Sequence, residues 1–266
     1  MKIDDFIYDK GLYITPEIIK KDAFIDDAKI KNLKFSKQIE SFIKTMKDNY
    51  SLNNLTTMYN NLETVIIKPY FRPFNIVKGE YNCKENIISV SIFKPNAIYH
   101  ELMHMASTVC NNERIYSGFS ISGDIYHDFI YIGHALNEGF TQLYTKEHFN
   151  SKKEKYYYPL YTAIADFIKW IIGNECCSMF YLQSNLSGLI NELEKYISFD
   201  EIITFIRDLD IYDMKKRTCL PLIKEIYHAE IKEDEEYMEE FLTFLKTLKE
   251  KKILNNESCK ELVKVK

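Results

Sequence analysis

Apolar positions recur every three or four residues over much of this chain. Phe35, Ile39, Phe42, Ile43, Met46 and Tyr50 form one such stripe, which predicts an amphipathic helix. A second helix is predicted from Leu52 to Leu62. The period then shortens. Thr64-Val-Ile-Ile67 is β-branched and reads as a strand. Ile76–Tyr81 and Ile87–Ile92 flank the polar Asn82-Cys-Lys-Glu-Asn86 and read as a hairpin. A helix follows, with Pro95 in its first turn, where a missing N–H costs nothing, and an end near Thr108–Cys110. Ser117-Gly-Phe-Ser-Ile-Ser122 reads as an extended edge strand, and Ile125–Ile132 as another strand or an irregular wall.

A helix is predicted at about 134–149, and the rest of the chain is helical in pattern. Ile164, Phe167, Ile168, Ile171 and Ile172 make a stripe, followed by Phe180 to Leu193. Tyr237, Phe241, Phe244, Leu245 and Leu248 make a cleaner one, acidic at its start and lysine-rich at its end, as the helix dipole favours. Gly173-Asn174 and Pro221 mark breaks. Residues 1–30, with Pro16 among them, show no clear period. The order of elements predicts a mostly helical α+β fold in three regions. These are an N-terminal helical region at 1–62, a core of small sheet plus two helices at 63–150, and a C-terminal helical lobe at 151–266. The first region reads as a packing lobe, or as a cover over a cleft.

Composition narrows the class. Eight Gly and six Pro in 266 residues leave few turns, which favours long helices over a many-stranded sandwich. Twenty Tyr and seventeen Phe supply apolar area for one large core or two lobes. A net charge of −4 argues against nucleic acid as a partner. No apolar run approaches a membrane span. The opening Met1–Lys10 has no secretory signal, and the six cysteines have no CxxC spacing, so free thiols and a cytoplasmic location are expected. A Lys-, Ile-, Asn- and Tyr-rich composition suggests an AT-rich bacterial genome.

The chemistry concentrates in Ala97–Ser107. His100-Glu101-Leu-Met-His104 is an HExxH pattern. Residues four apart lie on one face of a helix, so both imidazoles can reach one metal ion. Glu101 beside them is placed to act as a general base toward water. Downstream lies Gly133-His-Ala-Leu-Asn-Glu-Gly-Phe-Thr-Gln142. With HExxH, this Asn137-Glu138-Gly139 resembles the gluzincins, the thermolysin-like zinc metallopeptidases, over about residues 76–150.

That resemblance implies a zincin-like fold with the cleft between its lobes and one Zn²⁺ per chain held by His100, His104 and Glu138. It implies Glu101 as the catalytic base of a peptidase acting on peptide or protein substrates. An edge strand binds the substrate in that group. The position of Gln142 often holds an acidic residue that orients a ligand imidazole. Gln142 brings no charge but can accept the same bond through its amide oxygen, and its alternative is a surface role. Asn137 is a further candidate to support the ligands.

Other readings stay open. His134, one turn before Glu138, is a candidate to stabilise an oxyanion or to replace Glu138 as ligand. Tyr116, Tyr126, His127, Tyr131, Tyr144 and His228 are candidate transition-state donors. In the related metzincin pattern Ser107 takes the place of a glycine and Cys110 that of a third ligand. Without that glycine the turn back to the metal is unfavourable, so Cys110 reads as a buried small apolar residue. The adjacent Cys176-Cys177 reads as structural, and Glu233–Glu236 as a solvated helix start. A catalytically silent protein that binds a peptide or regulatory partner is the alternative to an enzyme. An intact Glu101 weighs against it.

Overall fold

The computed structural model describes residues 32–71, 79–110, 114–125, 128–149, 158–218 and 226–264. Residues 1–31, Ile76–Lys78 and Pro221 of the regions discussed above lie outside them. The chain is α+β and mostly helical. Helix α1 (Ser36–Asn49) buries Ile39, Phe42, Ile43 and Met46, the predicted stripe. The helix expected from Leu52 starts as a 3-10 turn at Leu52–Leu55 and becomes regular only in α2 (Thr56–Thr64).

A three-stranded sheet follows. Strand β1 (Ile66–Tyr70) pairs in parallel with β3 (Ile87–Ser91), and β2 (Gly79–Asn82) pairs antiparallel with β3. The order β1-β3-β2 leaves β2 at an edge. Asn86 at the hairpin's end anchors it to α2 by donating to the Asn61 carbonyl at 2.7 Å.

Helix α3 (Ile98–Ala106) is the hub. A 3-10 turn at Pro95–Ala97 leads into it. Ile98, Leu102, Met103, Met105 and Ala106 are all buried, so apolar residues cover it nearly all round, as suits a helix inside a core. It stops earlier than its pattern suggests. The Thr108 hydroxyl donates to the His104 carbonyl at 2.6 Å, and Ser107 donates to the Met103 carbonyl at 3.0 Å. Such hydroxyls compete for the carbonyls a further turn would need. Residues Thr108–Cys110, expected as the helix end, are instead strand β4.

Strands β4, β5 (Arg114–Ser117), β6 (Ser120–Ile125) and β7 (Asp128–Ile132) form a second, antiparallel sheet in sequence order. The expected edge strand at Ser117–Ser122 is corrected here. A turn at Gly118–Phe119 splits it between β5 and β6, and both are interior strands. The segment Ile125–Ile132 contains β7, an edge strand of that sheet.

Helix α4 (His134–Phe149) packs against α3, and α5 (Pro159–Ile172), α6 (Asn174–Leu182), α7 (Leu186–Leu193), α8 (Phe199–Thr218) and α9 (Ile226–Lys264) complete the chain. The helices are interrupted at Gly173 and at 183–185. Buried residues from Ile39 in α1 to Leu248 in α9 belong to one apolar cluster. Among the described residues no helix is long and apolar enough to cross a membrane.

The N-terminus of α4 is held from α8. Its first backbone N–H groups have no partners within the helix. Both oxygens of Asp210, on α8, supply them, accepting from Gly133 N–H at 2.6 Å and Ala135 N–H at 2.8 Å. The carboxylate also complements the positive end of the helix dipole. Burial nevertheless pushes its pKa up to about 6, aided by the neighbouring Asp213. The folded chain therefore holds a proton on Asp210 that the unfolded chain releases near pH 4. Stability from this group is highest below that pH and falls as pH rises through about 6. Measured by urea unfolding, Asp210→Asn should gain on the wild type by roughly 2–3 kcal/mol between pH 4 and pH 7. A constant difference between the two proteins across that range would show that the carboxyl does not titrate this way.

Candidate metal centre

Three side chains converge where α3 meets α4. His100 and His104 project from one face of α3, and Glu138 from the second turn of α4. The two imidazole Nε2 atoms are 3.1 Å apart. His100 Nε2 lies 3.3 Å from Glu138 Oε2, and His104 Nε2 lies 3.5 Å from Glu138 Oε1. At bond lengths of about 2.0–2.1 Å, two ligand atoms at a tetrahedral angle are separated by about 3.3 Å. The three donors thus have the spacing of one face of a zinc tetrahedron. Among the described residues this is the group of His, Cys and carboxylate side chains arranged to hold a metal ion.

The electrostatics fit a cation. Burial acts to raise the pKa of Glu138, but the charges and hydrogen bonds of His104 and His100 outweigh it and hold the carboxyl well below its usual range. The ligand rings differ in support. His104 Nδ1 has Asn137 Nδ2 and Thr141 Oγ1 each at 3.4 Å, the kind of outer contact that orients metal-binding imidazoles. His100 Nδ1 is buried with no hydrogen-bond partner among the described residues, and its ring lies 6.2 Å from that of Tyr158 in near-parallel stacking.

Glu101 has a different environment. It is only 6% exposed. Burial pushes its pKa up to about 7; His100 opposes that, and Glu138 and Glu80 add to it. A buried carboxyl poised near neutrality suits proton transfer. The wall that buries it is the edge strand β2. A Cβ on Gly79 would stand 2.6 Å from Glu101 Oε1 and 2.7 Å from its Cγ. Only glycine lets the strand lie this close, and Gly79 was not singled out by the sequence pattern.

His134 joins the group's border. Its Nε2 lies 3.9 Å from Glu138 Oε1 and 3.8 Å from Asp213 Oδ2 on α8, and its ring is 5.0 Å from that of Tyr131. Asp213 and Asp210 are buried carboxylates that sequence spacing gave no reason to connect with α4, some 75 residues away. Gln142 takes a different place from the one expected. Its Oε1 is buried and makes no hydrogen bond among the described residues. The reason is helical phase. Asn137 and Thr141, four apart, share the face toward His104, whereas Gln142 follows Glu138 on the next.

The other candidates are dispersed. Tyr116 is buried on β5 and accepts from Arg114 Nη1 at 3.3 Å. Tyr144 is buried among Phe140, His148 and Tyr181. Tyr131 is exposed beside His134. Tyr126 and His127, and the side chain of His228, lie outside the described residues. Cys110, expected to be buried, is instead exposed on β4, because α3 ends before it; it stands outside the metal-binding group, beside Cys83. Cys177 is buried, as a structural cysteine is expected to be.

Comparison with protein-family models, with characterised proteins and with solved structures finds no significant match to this chain. The functional reading therefore stands on the site itself.

Gly79 offers a direct check of the wall over Glu101. Gly79→Ala should cost about 1–3 kcal/mol of stability in urea unfolding, because an overpacked buried contact has to shift. Metal uptake should be unchanged, because the ligand atoms are not touched. Wild-type stability in the variant would show that β2 does not close on Glu101.

Proposed function

We propose that the protein is a zinc-dependent peptidase of gluzincin type with a zincin-like fold. The observation that carries this is the 3.1–3.5 Å triangle of His100, His104 and Glu138 donors, with Glu101 buried beside the first of them. His100, His104 and Glu138 would hold the ion, leaving a fourth position open to solvent or substrate. When bound, zinc supplies the Lewis acidity that makes water acidic near neutral pH and polarises a carbonyl.

The chain's own residues do the rest. Glu101 takes the proton of the attacking water and hands it to the leaving amine, a role matched by its raised pKa. Among the described residues strand β2 pairs only with β3, and its outer backbone groups can pair with an extended peptide. Gly79, on the same strand, brings that edge against the base. His134 stands beside Glu138, where it can donate to negative charge developing on the carbonyl oxygen. Asn137-Glu138-Gly139 supports the same assignment through its resemblance to the gluzincin second helix.

The test is elemental analysis on the wild type, Glu138→Ala and Glu101→Gln, with each protein assayed on a peptide library. The wild type and Glu101→Gln should carry about one zinc per chain, and Glu138→Ala little or none. Cleavage should appear in the wild type and fall by about a hundredfold or more in Glu101→Gln. A wild type that takes up no zinc after reconstitution overturns the reading. Zinc uptake without cleavage of any peptide would favour a catalytically silent binding protein.

A further inference from the structure

Two cysteines meet where the edges of the two sheets come together. Cys83 opens the turn after β2, an edge strand of the first sheet, and Cys110 ends β4, an edge strand of the second. Helix α3 runs between them in sequence. The two thiols are nevertheless hydrogen-bonded to each other, and both stand within electrostatic reach of the Tyr81 hydroxyl.

Other contacts hold the two segments in place. Asn61 of α2 donates to the carbonyls of Met105 at 2.7 Å and Thr108 at 2.8 Å. Its own carbonyl accepts from Asn86 Nδ2 at 2.7 Å. One residue thus fastens both the start of β4 and the end of the turn that carries Cys83. Within that turn, Asn82 Oδ1 accepts from Lys84 N–H at 3.1 Å and Glu85 N–H at 3.3 Å, and Asn86 Oδ1 accepts from the Tyr81 hydroxyl at 3.0 Å. Cys110 is held in register opposite Ile115 of β5. Groups fixed this closely react as an intramolecular pair, at a high effective concentration. A disulfide needs its sulfurs about 2.05 Å apart, and two sulfurs in hydrogen-bond contact have little distance left to close.

We infer that Cys83 and Cys110 form a reversible redox pair, which a peroxide converts to a disulfide joining the edges of the two sheets. The inference does not depend on the metal reading. The bond would fix the end of β2, the strand whose Gly79 lies against Glu101, to the strand that follows α3.

The two thiols are placed for different steps. Cys110 is exposed and meets the oxidant first, whereas Cys83 is half-buried. Burial, the charge of Cys110 and the hydrogen bond to it push the Cys83 thiol up to about 11, opposed by its own backbone hydrogen bond and by Lys84. Cys83 therefore keeps its proton while its neighbour reacts. In the first step the Cys110 sulfur attacks the peroxide, the O–O bond breaks, and a sulfenic acid and water form. In the second the Cys83 sulfur attacks the Cys110 sulfur and the S–O bond breaks. The Cys83 proton leaves with the sulfenic oxygen as a second water. Two electrons pass from the sulfurs to the peroxide, and a dithiol reductant returns them.

The experiment treats the full-length chain, reduced and then freed of reductant, with hydrogen peroxide. Intact mass and proteolytic peptides are read with and without dithiothreitol. The wild type should lose two of its six thiols and the mass of two hydrogens. It should give a linked Cys83–Cys110 peptide that dithiothreitol separates. Its urea midpoint should rise by about 0.5–1 M on oxidation, because the bond closes the loop between the two residues. Cys83→Ser should stop at the Cys110 sulfenic acid, trapped as a dimedone adduct. Cys110→Ser should leave Cys83 a thiol under the same treatment.

Absence of the linked peptide overturns the inference, as does a link between two chains in its place. A linked peptide whose formation fails to raise the midpoint also overturns it, because the bond would then form only by distorting the native contact. Dimedone capture on Cys83 in Cys110→Ser would overturn the order of the two steps.

Discussion

Two imidazole nitrogens 3.1 Å apart, with a carboxylate within 3.5 Å of each, demand positive charge between them. Lone pairs facing one another in a largely buried site repel unless a proton or a metal ion lies between them. Much of the architecture around this point serves to hold it there. Helix α3 is buried by apolar residues on nearly every side, so its two histidines have little freedom to turn toward water. Helix α4 is clamped at its first turn by Asp210 from α8, which sets where Glu138 stands along the helix axis.

The same site separates two carboxyl groups that share a neighbourhood. Glu138 is held ionised by the imidazoles it touches, despite its burial. Glu101, one residue along from His100, is pressed under strand β2, and the loss of water dominates its titration. Opposite shifts in two adjacent carboxyls are what a division between ligand and proton carrier requires. Both are buried glutamates on helices, and what separates them is that Glu138 touches both imidazoles while strand β2 closes over Glu101.

Beside the shared apolar core, polar contacts tie the metal-binding helices to α6, α8 and the turn after α6. Asp210 reaches the backbone of α4, Asp213 reaches His134, Tyr181 reaches Thr141, and Ser184 donates to the Ser107 carbonyl at 2.5 Å. The hydrogen bonds among these contacts carry direction as well as attraction, so they specify one docking geometry where apolar packing alone tolerates several. Helices α6 and α8 are thus part of the scaffold of the site, because a shift of either moves groups that contact Thr141 or cap α4.

By itself the sequence determined the helices with a strong period, the hairpin before α3, and the triangle of ligand candidates. Those rest on local rules: spacing of four on a helix, β-branched runs, and the HExxH and Asn-Glu-Gly patterns. Glu138, distant in sequence, is brought to His100 and His104 as that reading expects. Tertiary structure decided what local rules do not encode. Ser107 and Thr108 ended α3 early through side-chain bonds to its carbonyls, turning an expected helix end into β4. Strand order placed the edge at β2 and put Ser117–Ser122 in the interior. Helical phase gave the contact with His104 to Asn137 and Thr141, and left Gln142, for which the sequence keeps both ligand support and a surface role open, without a hydrogen bond from its oxygen among the described residues. Asp210, Asp213 and Tyr181 acquired their roles from packing between segments 40 to 79 residues apart. Such contacts depend on how whole elements dock, and no periodicity in the chain records them.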